Sequence, residues 1–180
     1  MSSLKHIRVA AVLVLAASGV AGGVPVRADG PPPEQRSVIA SFDSGWIRLA
    51  DGWGEARACT YDGTEARCYR SEAEMDRAEA SMSEFDVEAR ADCAQPTLKL
   101  YSGGSYGGSV FQLTSRGIYH DLGLVGFSNV TSSYKIGPCN ARFYDVWSAS
   151  GLYPGTTTAS TWSTSMSSGW NDRVSSVYIT

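Results

Sequence analysis

The second half of this chain ends twice in the same way. Phe127-Ser128-Asn129-Val130-Thr131-Ser132-Ser133-Tyr134-Lys135-Ile136 and Trp170-Asn171-Asp172-Arg173-Val174-Ser175-Ser176-Val177-Tyr178-Ile179 each run from an aromatic residue through an Asn-containing turn and a Ser-Ser pair into a strand. Residues 97–137 and 141–180 are therefore read as two copies of one motif of about 40 residues. Alternating stretches fill both copies: Leu98-Lys99-Leu100-Tyr101, Val110-Phe111-Gln112-Leu113, Ser133–Ile136, Phe143-Tyr144-Asp145-Val146 and Val177–Ile179. Short strands closely punctuated by turn signals fold as an all-β sandwich. Leu98, Leu100, Tyr134, Ile136, Val177 and Ile179 would face its core, because side chains alternate between the faces of a strand.

The segment before Cys93 has another texture. Residues 29–93 carry seven basic and fifteen acidic residues, whereas residues 94–180 carry five and three. Neither segment has a basic stripe, so a nucleic-acid partner is not expected. Residues 39–92 are expected to form a small acidic α+β segment: within Ser37–Tyr69, Val38-Ile39-Ala40, Trp46–Leu49 and a hairpin about Asp62-Gly63 predict a small sheet. Ser71-x-x-Glu74 is a capping box. Met75, Ala78, Met82, Phe85 and Ala89 then recur at helical spacing over about 72–90, a face expected to pack Met75, Met82 and Phe85 onto that sheet.

At the N-terminus, Lys5 and Arg8 precede the apolar run Val9–Ala17, and Val26-Arg27-Ala28 offers a cleavage site. Residues 1–28 are expected to be a secretory signal peptide, and residues 29–38, with three consecutive prolines, a linker. The apolar run is too short to span a bilayer, so no membrane association is expected. Secretion gives the cysteines a meaning. Cys59, Cys68, Cys93 and Cys139 form an even set for an oxidising compartment, with three connectivities formally possible. The hairpin turn between Cys59 and Cys68 makes that local bridge the simplest, leaving Cys93 with Cys139. Zinc is a poor alternative, because there is no CxxC and the only histidine after residue 28 is His120.

Asn171-Asp172-Arg173-Val174-Ser175-Ser176 resembles the six-residue calcium signature of the microbial βγ-crystallins: an Asn/Asp pair, two variable residues, Ser/Thr, then Ser. Tyr101-Ser-Gly-Gly-Ser-Tyr106-Gly-Gly108 resembles that family's aromatic corner, in the expected place at the opening of a Greek key. The resemblance covers residues 97–180. It implies a double Greek-key sandwich, here preceded by a disulfide-stapled α+β segment with one amphipathic helix. It also implies calcium shared between paired turns, one site combining Asn171 or Asp172 with Ser132 and the other Asn129 with Ser175. Backbone carbonyls near Ser102–Gly104 and Ser148–Ser150 would complete them. The chemistry is apt, since Ca²⁺ takes carboxylate, amide, hydroxyl and carbonyl oxygens. Ser128 stands where the signature has Asn or Asp, so one site is expected to be impaired. The second aromatic corner is also irregular, with Trp147 one residue early ahead of Tyr153-Pro-Gly155.

Enzyme chemistry finds little support in these residues. A Ser/His/Asp triad would need His120, whose neighbour Asp121 points to the opposite face of a strand. No nucleophile elbow is expected, because the GxSxG letters at Gly103–Gly107 lead into a predicted strand rather than a helix, and Glu55, Glu65 and Glu72 read as solvated rather than as paired catalytic acids. The expected function is that of a secreted, monomeric, non-enzymatic protein stabilised by calcium. An alternative follows from the resemblance, since some secreted bacterial metalloproteinase inhibitors look like this fold, and the Gly/Ser-rich stretch 148–169 could be a presented loop. A third reading, a carbohydrate-binding module, rests on Trp147, Tyr153, Trp162 and Trp170.

Overall fold

The computed structural model describes residues 37–83, 93, 95–147 and 150–180. The expected signal peptide, nearly all of the linker, and Phe85, Ala89 and the Met82 side chain of the expected helix face lie outside the described residues. The elements are β1 (Ile39–Phe42), β2 (Gly45–Arg48), β3 (Ala58–Tyr61), β4 (Ala66–Tyr69), α1 (Glu72–Ser83), β5 (Leu98–Tyr101), β6 (Val110–Leu113), β7 (Tyr119–Asp121), β8 (Ser133–Ile136), β9 (Ala141–Tyr144), β10 (Trp162–Ser163) and β11 (Ser176–Ile179). β9 begins two residues earlier than the alternation predicts, at Ala141, which is buried with Phe143. β7 and β10 were not predicted; they are two or three residues long and carry no alternating apolar pattern.

Strand order reveals the architecture. One sheet runs β10-β8-β5-β6-β3-β4-β1-β2, and the other β7-β11-β9. A bridge from Tyr144 to Leu152 extends the second sheet past β9. Within residues 98–180 the two sheets are therefore arranged alike. The first unit supplies β5, β6 and β8 but sends its third strand, β7, across to pair with β11. The second unit supplies β9, Leu152 and β11 but sends β10 across to pair with β8. This is a double Greek-key sandwich with exchanged third strands. The six residues expected to face the core are all buried, and Tyr134 packs edge-on against Phe143 with centroids 5.1 Å apart.

The compositional change at Cys93 does not interrupt the sheet. β3 pairs in parallel with β6, placing Cys59 beside Phe111 and Ala58 beside Val110. Cys59 also sits directly opposite Cys68 on β4, and the two are bridged; the second disulfide joins Cys93 to Cys139. Trp53, on the loop before β3, donates its indole N–H to the Val125 carbonyl at 2.8 Å and stacks on Phe127. One apolar cluster thus runs from Ala40 and Leu49 through Phe111 to Val177.

α1 covers the opposite face of the large sheet. Half of its capping box forms as expected, with Ser71 Oγ accepting from the Glu74 N–H at 3.2 Å; the Glu74 carboxylate reaches one residue further back and accepts from the Arg70 N–H at 3.0 Å. Met75 is fully buried against Ala58, Tyr101 and Val110. It therefore packs on strands from both sides of the Cys93 boundary rather than on a separate small sheet. The expectation that Glu72 is solvated is corrected as well. It accepts from Lys99 Nζ at 2.8 Å and from the Tyr101 hydroxyl at 2.7 Å, and Lys99 also pairs with Asp76 at 2.6 Å. Lys99 projects from the covered face of β5, so its ammonium needs these anions.

Burial alone would raise the Glu72 carboxyl, but the hydrogen bonds from Lys99 and Tyr101, with the nearby Lys99 and Lys135 charges, outweigh it and hold the group below its ordinary value of 4.5. A depressed carboxylate contributes stability that is complete above the unfolded-state value and is lost as pH falls through the folded one. Urea unfolding midpoints of the wild type should therefore drop more steeply below about pH 4.5 than those of Glu72→Gln. Parallel acid limbs would show that this cluster does not contribute to docking the helix.

Candidate metal centre

The exchanged strands bring the two repeated turns face to face. Asn129 N–H donates to the Val174 carbonyl at 2.9 Å, and Asp172 N–H donates to the Thr131 carbonyl at 3.0 Å. These are the same bond made once from each unit. The correspondence continues outward. Ser132 N–H donates to Tyr101 O and Ser175 N–H to Tyr144 O, both at 2.8 Å. Asn129 and Asp172 both have left-handed backbone, with φ of 57° and 55°. Asn and Asp accept that conformation more readily than other residues with a Cβ, so both turns have a local reason for their residue types.

The side chains then meet in crossed pairs. Ser132 Oγ lies 3.2 Å from Asp172 Oδ1 and 3.2 Å from the Ser102 carbonyl oxygen. Ser175 Oγ lies 2.9 Å from Asn129 Oδ1. Asn171 is not the partner of Ser132; it donates its amide N–H to Asp172 Oδ2 at 2.7 Å and braces the carboxylate. Of the expected carbonyls, Ser102 meets Ser132, and Gly103 accepts from the neighbouring Ser133 hydroxyl at 2.6 Å. In the second unit the corresponding contact falls earlier than expected, with Ser176 Oγ donating to Val146 O at 2.8 Å. Ser148 lies outside the described residues.

The loop that presents Ser102 must fold tightly on itself. Gly108 has φ +77°, and a Cβ there would strike the Ser102 hydroxyl. Tyr106 closes the corner by packing on Tyr101, with ring centroids 5.5 Å apart, beneath the Lys135 ammonium.

These donors suit a hard cation. Among the described residues no group of three or more His, Cys, Asp and Glu residues is placed to hold a metal, so a site here has to add hydroxyl, amide and carbonyl oxygens to any carboxylate it uses. The first centre gathers Asp172 Oδ1, Ser132 Oγ and the Ser102 carbonyl, the second Asn129 Oδ1 and Ser175 Oγ. They differ in proton balance. In the first, two acceptors compete for the single hydroxyl proton of Ser132, and one of them is anionic. In the second, one proton serves one neutral acceptor. Surplus oxygen lone pairs are what Ca²⁺ satisfies, so the first set fits that ion better.

Other candidate groups lie elsewhere. His120 is buried on β7, edge-on to Tyr61, with Nε2 3.2 Å from Ser115 Oγ, and burial holds its pKa below the ordinary value. Asp121 accepts from the Gly123 N–H at 2.8 Å, capping a short turn instead of orienting the imidazole. Tyr153 is buried and Trp170 packs edge-on against it, while Trp147 and Trp162 are 59% and 69% exposed. Two residues adjoining in sequence the groups that frame the second centre escaped the sequence reading: Asp145, after Tyr144, and Arg173, after Asp172, which form an ion pair at 2.6 Å. Aligning Tyr144-Asp145 with Tyr101-Ser102 would have drawn attention to the carboxylate.

Three solved structures are similar to parts of this chain. A βγ-crystallin from Ciona intestinalis is 23% identical over 47% of this chain and 99% of its own, with a TM-score of 0.40. The N-terminal domain of Protein S is 18% identical over 47% and 94%, with a TM-score of 0.39. A βγ-crystallin domain from Flavobacterium johnsoniae is 20% identical over 46% and 92%, with a TM-score of 0.35. Two of the three are βγ-crystallins by name. The Greek-key assignment itself rests on the order of the strands. No protein-family model and no curated protein matches the chain.

Thr131 is fully buried, and its hydroxyl has no hydrogen-bond partner among the described residues. The equivalent position in the second unit is Val174, also fully buried. Thr131→Val should therefore stabilise the protein by about 1 kcal/mol, seen as a rise in melting temperature of roughly 2–4 °C. A fall instead would mean that the hydroxyl is satisfied.

Proposed function

We propose that this chain is a secreted, non-enzymatic Greek-key protein that binds calcium at the paired turns and is stabilised by it. The observation that carries this reading is the surplus of acceptors about Ser132, where Asp172 Oδ1 and the Ser102 carbonyl converge on one hydroxyl. Asp172, Ser132 and Ser102 would hold the ion, with Asn171 bracing the carboxylate. Calcium bound there would link the turn of the second unit to the corner loop of the first, which is a structural rather than a catalytic role. Two disulfides among the described residues suit an oxidising compartment, which supports secretion. Among the described residues no helix is long and apolar enough to cross a membrane.

With a single carboxylate in the donor set, affinity belongs in the weak extracellular range, near 10⁻⁴ M or somewhat tighter, on the order of magnitude that ligand charge dictates. Calorimetric titration of CaCl₂ into the metal-stripped protein should give saturable heat that Asp172→Ala removes. Calcium at ten times its dissociation constant should add about 1.4 kcal/mol of stability, raising the melting temperature relative to chelator. No heat, and identical melting in calcium and chelator, would overturn the reading.

A further inference from the structure

Two of the differences between the units meet at one point. Ser102 of the first unit corresponds to Asp145 of the second, each following the tyrosine whose carbonyl receives a Ser N–H from the turn. Val130 of the first turn corresponds to Arg173 of the second. The two second-unit residues are joined: Arg173 Nη2 lies 2.6 Å from Asp145 Oδ2. The guanidinium is held on its other side by the Gly169 carbonyl at 3.2 Å and by the Trp170 ring, 5.2 Å from its centroid. The carboxylate is held as firmly. Gly151, with φ +65°, donates no side chain there, and a Cβ would fall on the Asp145 carboxylate. The Asp145 N–H is in turn bonded to the Gly151 carbonyl at 3.1 Å.

The first centre has surplus acceptors, and no ion pair to Asp172 is formed among the described residues. The second has Asp145 directly after Tyr144, whose carbonyl receives the Ser175 N–H, but that charge is already matched by an arginine of the turn itself. We propose that Arg173 is a built-in cation for the second unit, holding Asp145 and thereby confining calcium to the Asp172–Ser132–Ser102 centre. This rests on the calcium reading above but adds a further residue that makes the two halves unequal. Losing the guanidinium frees the carboxylate of the residue that follows Tyr144, whose carbonyl receives the Ser175 N–H at 2.8 Å, and so offers the second centre the anionic donor it lacks. Lysine at the same position keeps a positive charge that can still match Asp145.

The test is calorimetric titration of CaCl₂ into the metal-stripped full chain, comparing wild type with Arg173→Gln and Arg173→Lys. The expected stoichiometries are one for wild type, two for Arg173→Gln and one for Arg173→Lys. Adding Asp172→Ala to Arg173→Gln should return the count to one. Melting in chelator checks that each variant is folded, and Arg173→Val, which copies position 130, replaces Arg173→Gln if that variant is not. A folded charge-removing variant that binds no more calcium than wild type overturns the proposal, as does a wild type that binds two ions. The calcium reading is tested separately by the wild-type isotherm. A silent wild type with a Gln variant that binds one ion would overturn the reading of the first centre while upholding the role of Arg173.

Discussion

Each Greek key gives its third strand to the other's sheet, and the remaining features of residues 98–180 depend on that exchange. Neither unit can complete a sheet alone, because β7 finds its partner in β11 and β10 in β8. Fold and pairing are therefore formed together, and a local change in one unit is felt in the other. The turn between the third and fourth strands of each unit has to cross between sheets, and this crossing places the two turns against each other. The reciprocal bonds Asn129 N–H to Val174 O and Asp172 N–H to Thr131 O follow. So do the crossed side-chain pairs. The candidate metal centre is a by-product of topology: oxygens far apart in sequence converge because the backbone must pass there.

Charge arrangement belongs to the same account. The acidic excess before Cys93 and the slight basic excess after it look, in one dimension, like two independent segments. In three dimensions they are complementary. Glu72 and Asp76 of α1 reach Lys99 on β5, and Lys135 on β8 lies over the Tyr101–Tyr106 pair next to them. Exposed ion pairs contribute little, but Lys99 is largely covered, and its two carboxylate partners prevent a buried charge from standing alone. Met75 supplies the apolar contact around which these polar bonds close.

Much of the fold was legible in the sequence because β sandwiches write their core as alternation. β5, β6 and β8 have the limits that the alternation predicts, and the inward residues named on β5, β8 and β11 are all buried. β7 and β10 were invisible for the same reason. Their membership comes from backbone pairing with the other unit, and Trp162 on β10 is exposed rather than buried. The crossed pairs at the turns could be anticipated from the repeat, yet the choice of Asp172 over Asn171 depends on which residue takes the left-handed conformation. The role of Glu72 was missed because its partners, Lys99 and Tyr101, lie on a strand more than twenty residues away. Arg173 was missed because a variable position in a motif draws no attention until its neighbour in space is known.

The parallel pairing of β3 with β6 has a consequence for how such a module can be divided. A Greek-key unit spanning residues 97–180 would normally present its second strand as an open edge. Here Val110–Leu113 is buried at all four positions, shielded on one side of the sheet by α1 and along its length by β3. Cut at the compositional boundary, the sandwich would keep its strand exchange and its turns but expose a regular strand with unmet backbone groups and apolar residues on both faces. A strand of that kind is a template for joining another chain. The acidic N-terminal segment therefore covers the β6 edge and moves the open edge of the sheet out to β2, four residues long and largely exposed.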